Sequence, residues 1–336
     1  MSRNDTAART DPMRVGVVGV GAMGENHARV YSELQDQEVD LAGVVDRDAA
    51  VARRVAAEYG TTATDLETLL ERCDAVSVAV PTPAHVETVT RCLEAGVDVL
   101  VEKPIAPTVE EGRQLARRAS ETGQVLQIGH IERFNPAVQT VADLIEDVEV
   151  IGIEAERLGP PVDRTARGNV VFDLMVHDVD IVASLLGSEP DSVTAMGTDD
   201  GQYATATLAY DDVVASLTAS RVTQKKVRKL TVTAAECLLE VDYLQQSVLI
   251  HRDSYPAYLV DDGTRRYRHE SVVERPRVDN GEPLRYELES FLEASRTGSE
   301  PEVTAEDGIR ALETVQTIDS LVAEDEPAAE REVEAQ

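Results

Sequence analysis

Lysine is scarce: of 336 residues only Lys103, Lys225, Lys226 and Lys229 carry an ammonium, and all 32 basic residues together face 63 acidic ones. The formal net charge of -31 would repel a phosphate backbone, which argues against a nucleic-acid partner. The acidic excess runs along the whole chain, as expected of a halophilic protein, where salt screens the self-repulsion. Cysteine is scarce too. Cys73, Cys92 and Cys237 are too few and too scattered for a disulfide framework or a zinc site, and they read as reduced core residues with no metal indicated. No apolar run approaches the about 18 residues of a membrane span, and residues 1–13 are polar with no signal-peptide core. These absences argue against a membrane protein and lead to the expectation of a cytoplasmic one.

What is present is enough to fold, with 42% hydrophobic residues and a length that suits two modest domains. Arg14 to Gly19 reads as a short apolar strand running into a glycine turn and a helix to about Leu34. The alternation continues with strands at Val39 to Asp46, Ala75 to Val80, Val97 to Val101 and Val125 to Ile128. Helices at Asp48 to Glu58, Ala84 to Ala95 and Val109 to Thr122 lie between them. Such βα alternation implies a parallel sheet with right-handed crossovers. From about Val150 the texture changes to β-rich segments at Gln202 to Tyr210, Val213 to Ser220, Val227 to Thr233 and Leu238 to Val241, for which mostly antiparallel pairing is expected. A long apolar helix, Val170 to Leu186, interrupts them, and helices at Pro283 to Arg296 and Thr304 to Ala323 close the chain. The expected organisation is a disordered 1–13, an α/β Rossmann domain at 14–130, an α+β domain with an open, mostly antiparallel sheet at 131–323, and an acidic tail at 324–336.

Gly19-Val20-Gly21-Ala22-Met23-Gly24 fits G-x-G-x-x-G between a strand and a helix, where glycines let a pyrophosphate approach backbone N–H groups at the helix N-terminus. Asp46, 22 residues after Gly24, ends the second strand, where a carboxylate accepts ribose hydroxyls and repels a 2′-phosphate. NAD is therefore expected over NADP, although the adjacent Arg47 is placed to face a 2′-phosphate instead. Pro81, Thr82 and His85 lie beyond the carboxyl end of the third strand and are expected to flank the nicotinamide half of the cofactor; for His85 a plain place in the first turn of a helix is the alternative.

Glu102-Lys103-Pro104 follows the next strand on the same ligand-binding edge. An ammonium there can orient a substrate hydroxyl and stabilise developing alkoxide, so Lys103 is a candidate catalytic group. The apolar helix 170–186 carries Asp173, His177, Asp180 and Ser184 at offsets of four, seven and eleven, one polar stripe on a buried element. His177 can take a proton near neutral pH, and Asp173 one turn away can orient it; a structurally satisfied pair is the alternative reading.

Taken together, Gly19-x-Gly21-x-x-Gly24, Glu102-Lys103-Pro104 and Asp173-x-x-x-His177 resemble the glucose-fructose oxidoreductase, inositol dehydrogenase and MocA family over nearly the whole chain. The resemblance implies NAD(P)-dependent oxidation at CH–OH, a sheet domain for substrate binding and assembly, and a homodimer or homotetramer. It also implies that Lys103 touches nicotinamide and substrate, with His177 as acid/base beside Asp173. Gly129 to Pro136 and Arg157-Leu158-Gly159-Pro160 are similar to members that oxidise nucleotide-activated amino sugars, such as UDP-N-acetylglucosamine at its 3-OH. A UDP-sugar diphosphate needs cations, for which Arg133, Arg157, Arg164 and Arg167 are candidates, with Asn135 also at the substrate. Asp163 and Arg164 lie in a loop rich in Gly and Pro that is expected to close over substrate. A dehydrogenase of a free polyol such as an inositol would not need those arginines. A catalytically silent NAD(H)-binding regulatory protein is the alternative from another class.

Overall fold

The computed structural model describes residues 12–35, 39–161, 168–198, 200–253, 257–261, 264–268 and 271–324, with backbone alone from 253 to 268. The chain divides into two compact units, Met1–Ile131 with Leu284–Ile309, and Glu132–Pro283 with Arg310–Gln336. The segments expected to be a disordered start and an acidic tail lie almost entirely outside the described residues.

In the first unit, β1 (Met13–Val18), β2 (Val39–Val45), β3 (Ala75–Val78), β4 (Asp98–Glu102) and β5 (Leu126–Gly129) form one parallel sheet in the order β2-β1-β3-β4-β5. Every residue of β3, β4 and β5 is buried, as expected of parallel strands covered on both faces. The crossovers are α1 (Ala22–Glu33), α2 (Ala49–Glu58), α3 (Leu66–Leu70), α4 (His85–Glu94) and α5 (Val109–Thr122). Side chains cap most of their starts: Asp48 accepts the N–H groups of Ala50 and Val51, Asp65 that of Thr68, and Thr108 that of Glu111. Helices α1 and α4 have no side-chain cap, and the N-cap of α1 is Gly21.

In the second unit, α6 (Pro136–Ile145) packs against the sheet that begins with β6 (Val150–Leu158). A π-helical turn, Val171–Met175, leads into α7 (Val176–Leu186). Strands β7 (Ser192–Gly197), β8 (Tyr203–Tyr210), β9 (Val213–Ser220), β10 (Val227–Ala234), β11 (Leu238–Asp242) and β12 (Ser247–Asp253) follow. A two-stranded hairpin, β13 (Ala257–Asp261) with β14 (Thr264–Arg268), precedes β15 (Ser271–Glu274). The main sheet runs β15-β12-β11-β10-β6-β9-β8-β7, and all its neighbours are antiparallel except β6 with β9. In β8 burial alternates residue by residue, so the sheet turns one face to the core.

The chain then enters α8 (Pro283–Thr297) and α9 (Ala305–Glu324). Leu284, Leu288, Phe291, Leu292 and Ala294 of α8 belong to the same buried cluster as Val15, Val17, Val30, Tyr31 and Leu100, so this helix completes the first core. A division by sequence order places it with the second half, because contacts formed 160 residues apart, such as Gln127 Nε2 with the Glu287 carbonyl, leave no local trace. No helix among the described residues is long and apolar enough to cross a membrane.

Candidate functional site

The turn after β1 uses its glycines in three ways. Gly19 has φ +86°, a conformation that side chains resist, and a Cβ there would strike the Ala79 backbone. Gly24 lies so close to the Gly19 carbonyl that a Cβ would collide with it, which fixes how tightly α1 approaches the strand. At Gly21 a Cβ would meet nothing within 4 Å, and the residue is exposed. The open space at Gly21, in front of the uncapped first turn of α1 carrying Ala22 and Met23, is the cradle a pyrophosphate requires, so the chain's own residues fit a dinucleotide. The turn lies where β1 is flanked by β2 and β3, the switch point of the sheet.

Asp46 stands just past β2 at the same edge. Its Oδ2 accepts the Val20 N–H at 2.8 Å and its Oδ1 the Asp48 N–H at 2.8 Å, so the carboxylate ties the glycine turn to the start of α2. Each oxygen retains a lone pair for a ribose hydroxyl. Arg47 is exposed beside it. Pro81 is exposed and Thr82 half-buried in a 3-10 turn, Thr82–Ala84.

His85 is 1% exposed, with Nδ1 at 2.9 Å from the Pro104 carbonyl and Nε2 at 2.9 Å from the Val80 carbonyl. Burial pushes this imidazole's pKa down, against the two carbonyls that pull it up, and a neutral ring carries one N–H and donates to one of the two carbonyls. His85 is the first residue of α4, the first-turn place that is the alternative to a cofactor flank, and its ring is turned to the backbone. Lys103, just past β4, is half-buried. The preceding Glu102 is buried and its Oε1 lies 3.0 Å from Nε2 of His27, a fully buried residue of α1. Among the described residues His27, Glu102 and Glu287 bring possible ligand atoms within 4.8 Å of one another. The His27–Glu102 hydrogen bond already employs two of the three.

In the second unit, Asp173 lies in the π-helical turn, a device frequent at functional sites because it breaks the regular helical spacing. Its Oδ2 accepts from Arg221 Nη2 at 2.7 Å, while Arg221 Nη1 donates to the Gly168 carbonyl at 2.9 Å. Arg221, which follows β9, was not legible in the sequence as a partner of Asp173. His177 is half-buried in the first turn of α7; Asp180 is buried and Ser184 exposed, so the stripe expected along the helix is divided in its surroundings.

The arginines are committed inside this unit. Arg133 donates to Asp180 through Nε at 2.9 Å and Nη2 at 2.8 Å. Arg157 is 3% exposed; it grips Asp178 through Nε at 2.9 Å and Nη2 at 2.8 Å, donates to Glu132 at 2.7 Å, and lies 5.4 Å above the Tyr243 ring. Burial alone would lower its guanidinium pKa, but the carboxylates of Asp178 and Glu132 raise it, so the charge stays. Asp178 was missed by the sequence reading; the signal was there in two acids on a buried helix, each requiring a cation. Asn135 is buried as well, capping α6 through the Ala137 N–H at 3.1 Å and donating to the Tyr243 carbonyl at 3.2 Å. The Arg133 pair engages Nε and Nη2, whereas Arg157 is buried with all three of its guanidinium nitrogens engaged. Asp163, Arg164 and Arg167 lie outside the described residues.

Comparison with known proteins agrees with this architecture. Residues 13–130 match the oxidoreductase family with an NAD-binding Rossmann fold, and residues 153–239 match the GFO/IDH/MocA C-terminal domain. The UDP-N-acetylglucosamine 3-dehydrogenase of Acidithiobacillus ferrooxidans is 38% identical over 245 residues, covering 71% of this chain and 77% of its own. A solved structure of that enzyme aligns with TM-score 0.81 at 34% identity over 92% of this chain and 97% of the other. An inositol 2-dehydrogenase of Rhizobium meliloti is 33% identical over 192 residues, 54% of this chain and 58% of its own length. With both halves matched in order around the glycine turn and the Glu-Lys-Pro strand end, the chain belongs to the glucose-fructose oxidoreductase, inositol dehydrogenase and MocA family of oxidoreductases.

Proposed function

We propose that this enzyme, an oxidoreductase acting on CH–OH groups, oxidises the 3-OH of UDP-N-acetylglucosamine to give a UDP-3-keto sugar, with NAD preferred over NADP. The likeness to the Acidithiobacillus enzyme, sustained over 71% of the sequence and 92% of the fold, carries this reading. NAD, when bound, supplies the hydride acceptor. The glycine turn and the first turn of α1 hold its pyrophosphate, and Asp46 receives ribose hydroxyls and repels a 2′-phosphate. Glu102 and the Pro81-Thr82 turn border the cofactor on the same sheet edge.

Lys103 orients the substrate hydroxyl and stabilises alkoxide character as the proton leaves; His177 receives the proton, with Asp173 as its neighbour on the helix. Arg157 is buried against Asp178, and Arg133, Arg164 and Arg167 are the cations proposed for the diphosphate. A second reading, oxidation of a free polyol such as an inositol, is favoured by the likeness to the Rhizobium inositol 2-dehydrogenase. The deciding experiment incubates the protein at high salt with NAD or NADP and a panel of UDP-sugars, free sugars and inositols, following reduced nicotinamide. Turnover of UDP-N-acetylglucosamine well above every inositol is expected; the reverse order would replace the first reading by the second.

A further inference from the structure

Lys103 is the only lysine of the first unit, and the residue on each side of it is held by a buried histidine. On one side His27, 0% exposed, bonds the Glu102 carboxylate at 3.0 Å. On the other His85, 1% exposed, reaches the Pro104 carbonyl at 2.9 Å and, with its second nitrogen, the Val80 carbonyl at 2.9 Å. The histidines come from different elements. His27 lies in α1, three residues past Gly24 and therefore on the helix the glycine turn opens; His85 opens α4 just after the Pro81-Thr82-Pro83 turn. The neighbouring strand makes room for the first contact: Gly129 is paired with Glu102, and a Cβ there would lie 3.1 Å from the Glu102 Cα and 3.2 Å from its carboxyl.

A lysine amine sits at the end of four flexible methylenes, so its position depends first on the backbone that carries it. A loop just past a strand end does not fix that backbone alone. Buried polar groups do, since each loses its hydrogen bond if the loop moves and no water replaces it. We propose that His27 and His85 are positioning residues for Lys103, clamping residues 102 and 104 so that the amine is held in fixed relation to the dinucleotide-binding turn. Neither touches the reacting atoms; both act through the lysine between them. His27 thereby links the helix that receives the pyrophosphate to the strand end that carries the amine.

This inference rests on Lys103 serving the reaction, and its test has a readout that needs no turnover. Reductive methylation with 13C-formaldehyde labels four lysines and the amino terminus, and a Lys103→Arg control identifies the Lys103 signal. His27→Leu and His85→Leu should each shift that signal while Lys225, Lys226 and Lys229 stay in place. They should lower kcat by roughly 10- to 100-fold, as small misplacement of a reacting group does, with KM for NAD within about threefold. His27→Gln, which keeps an N–H toward Glu102, should restore most of kcat and the original signal. An unmoved Lys103 signal in folded Leu variants, or Gln variants no better than Leu, overturns the proposal. If the Leu variants do not fold, Gly129→Ala, which presses on Glu102 from β5, must by itself move the Lys103 signal, and its failure to do so counts equally against the clamp. Should Lys103→Ala retain full turnover, the catalytic reading falls, whereas the signal shifts still decide whether the histidines hold the lysine.

Discussion

The two units fix their candidate functional groups by opposite means. In the first, the backbone does the placing: a left-handed glycine, an uncapped helix start and strand ends set the geometry, and His85 and Asp46 are anchored to main-chain carbonyls or N–H groups. In the second, side chains hold one another through guanidinium–carboxylate pairs, Arg133 with Asp180, Arg157 with Asp178 and Arg221 with Asp173, whose members lie 47, 21 and 48 residues apart. The difference sets what each can tolerate. A backbone-built site is sensitive to an added methyl group and indifferent to many charge changes. An ion-pair-built site is sensitive to the loss of one charge, because the partner is left buried alone.

The largest effects should come at the two candidate catalytic groups. Lys103→Ala and His177→Ala are each expected to lower kcat by roughly 10²- to 10⁴-fold while NAD affinity, read by fluorescence titration, changes by less than about tenfold. Full activity in either variant would remove that unit from the mechanism. Next, Arg157→Met should cost about 3–5 kcal/mol in a urea unfolding curve, since Asp178 loses its partner in the interior. The double variant Arg157→Met with Asp178→Leu should recover most of that loss. If it does not, packing rather than charge holds this helix.

On the backbone-built side, Gly24→Ala should lower stability by about 1–3 kcal/mol through the clash with the Gly19 carbonyl. Gly21→Ala should leave the unfolding curve unchanged and weaken NAD roughly tenfold, because its methyl fills only the cradle. Equal effects of the two alanines would dissolve the distinction between the glycines. The smallest change is expected at the first core's thiols: burial pushes Cys73 and Cys92 up to about 12, so a disulfide reagent at pH 8 should leave both unlabelled until denaturant is added.

This contrast also explains what could be read from the residues alone. Glycine spacing, strand runs and the acid at the second strand end are local, so the parallel sheet, the glycine turn and the position of Asp46 past the second strand were legible, as was the β-rich character of the second half. Long-range pairings were not. Nothing near Arg133 and Arg157 in the chain reveals that they pair with Asp180 and Asp178. Helix α8 was recognised as a helix, but its packing into the first core depends on Phe291 and Leu288 meeting Val17 and Tyr31 across more than 250 residues of sequence. The π-helical turn at Asp173 likewise escaped notice, since one irregular turn barely alters an apolar pattern.

The two N–H groups bound by Asp46 bear on any attempt to redesign cofactor choice. Exchanging this acid for a small neutral residue, the obvious step toward admitting an extra phosphate on the adenosine ribose, also releases Val20 and Asp48 from their common acceptor. On the proposed preference for NAD, engineering toward NADP is therefore coupled to loosening of the glycine turn, and asparagine, which keeps one acceptor oxygen without the charge, is the substitution that separates the two effects.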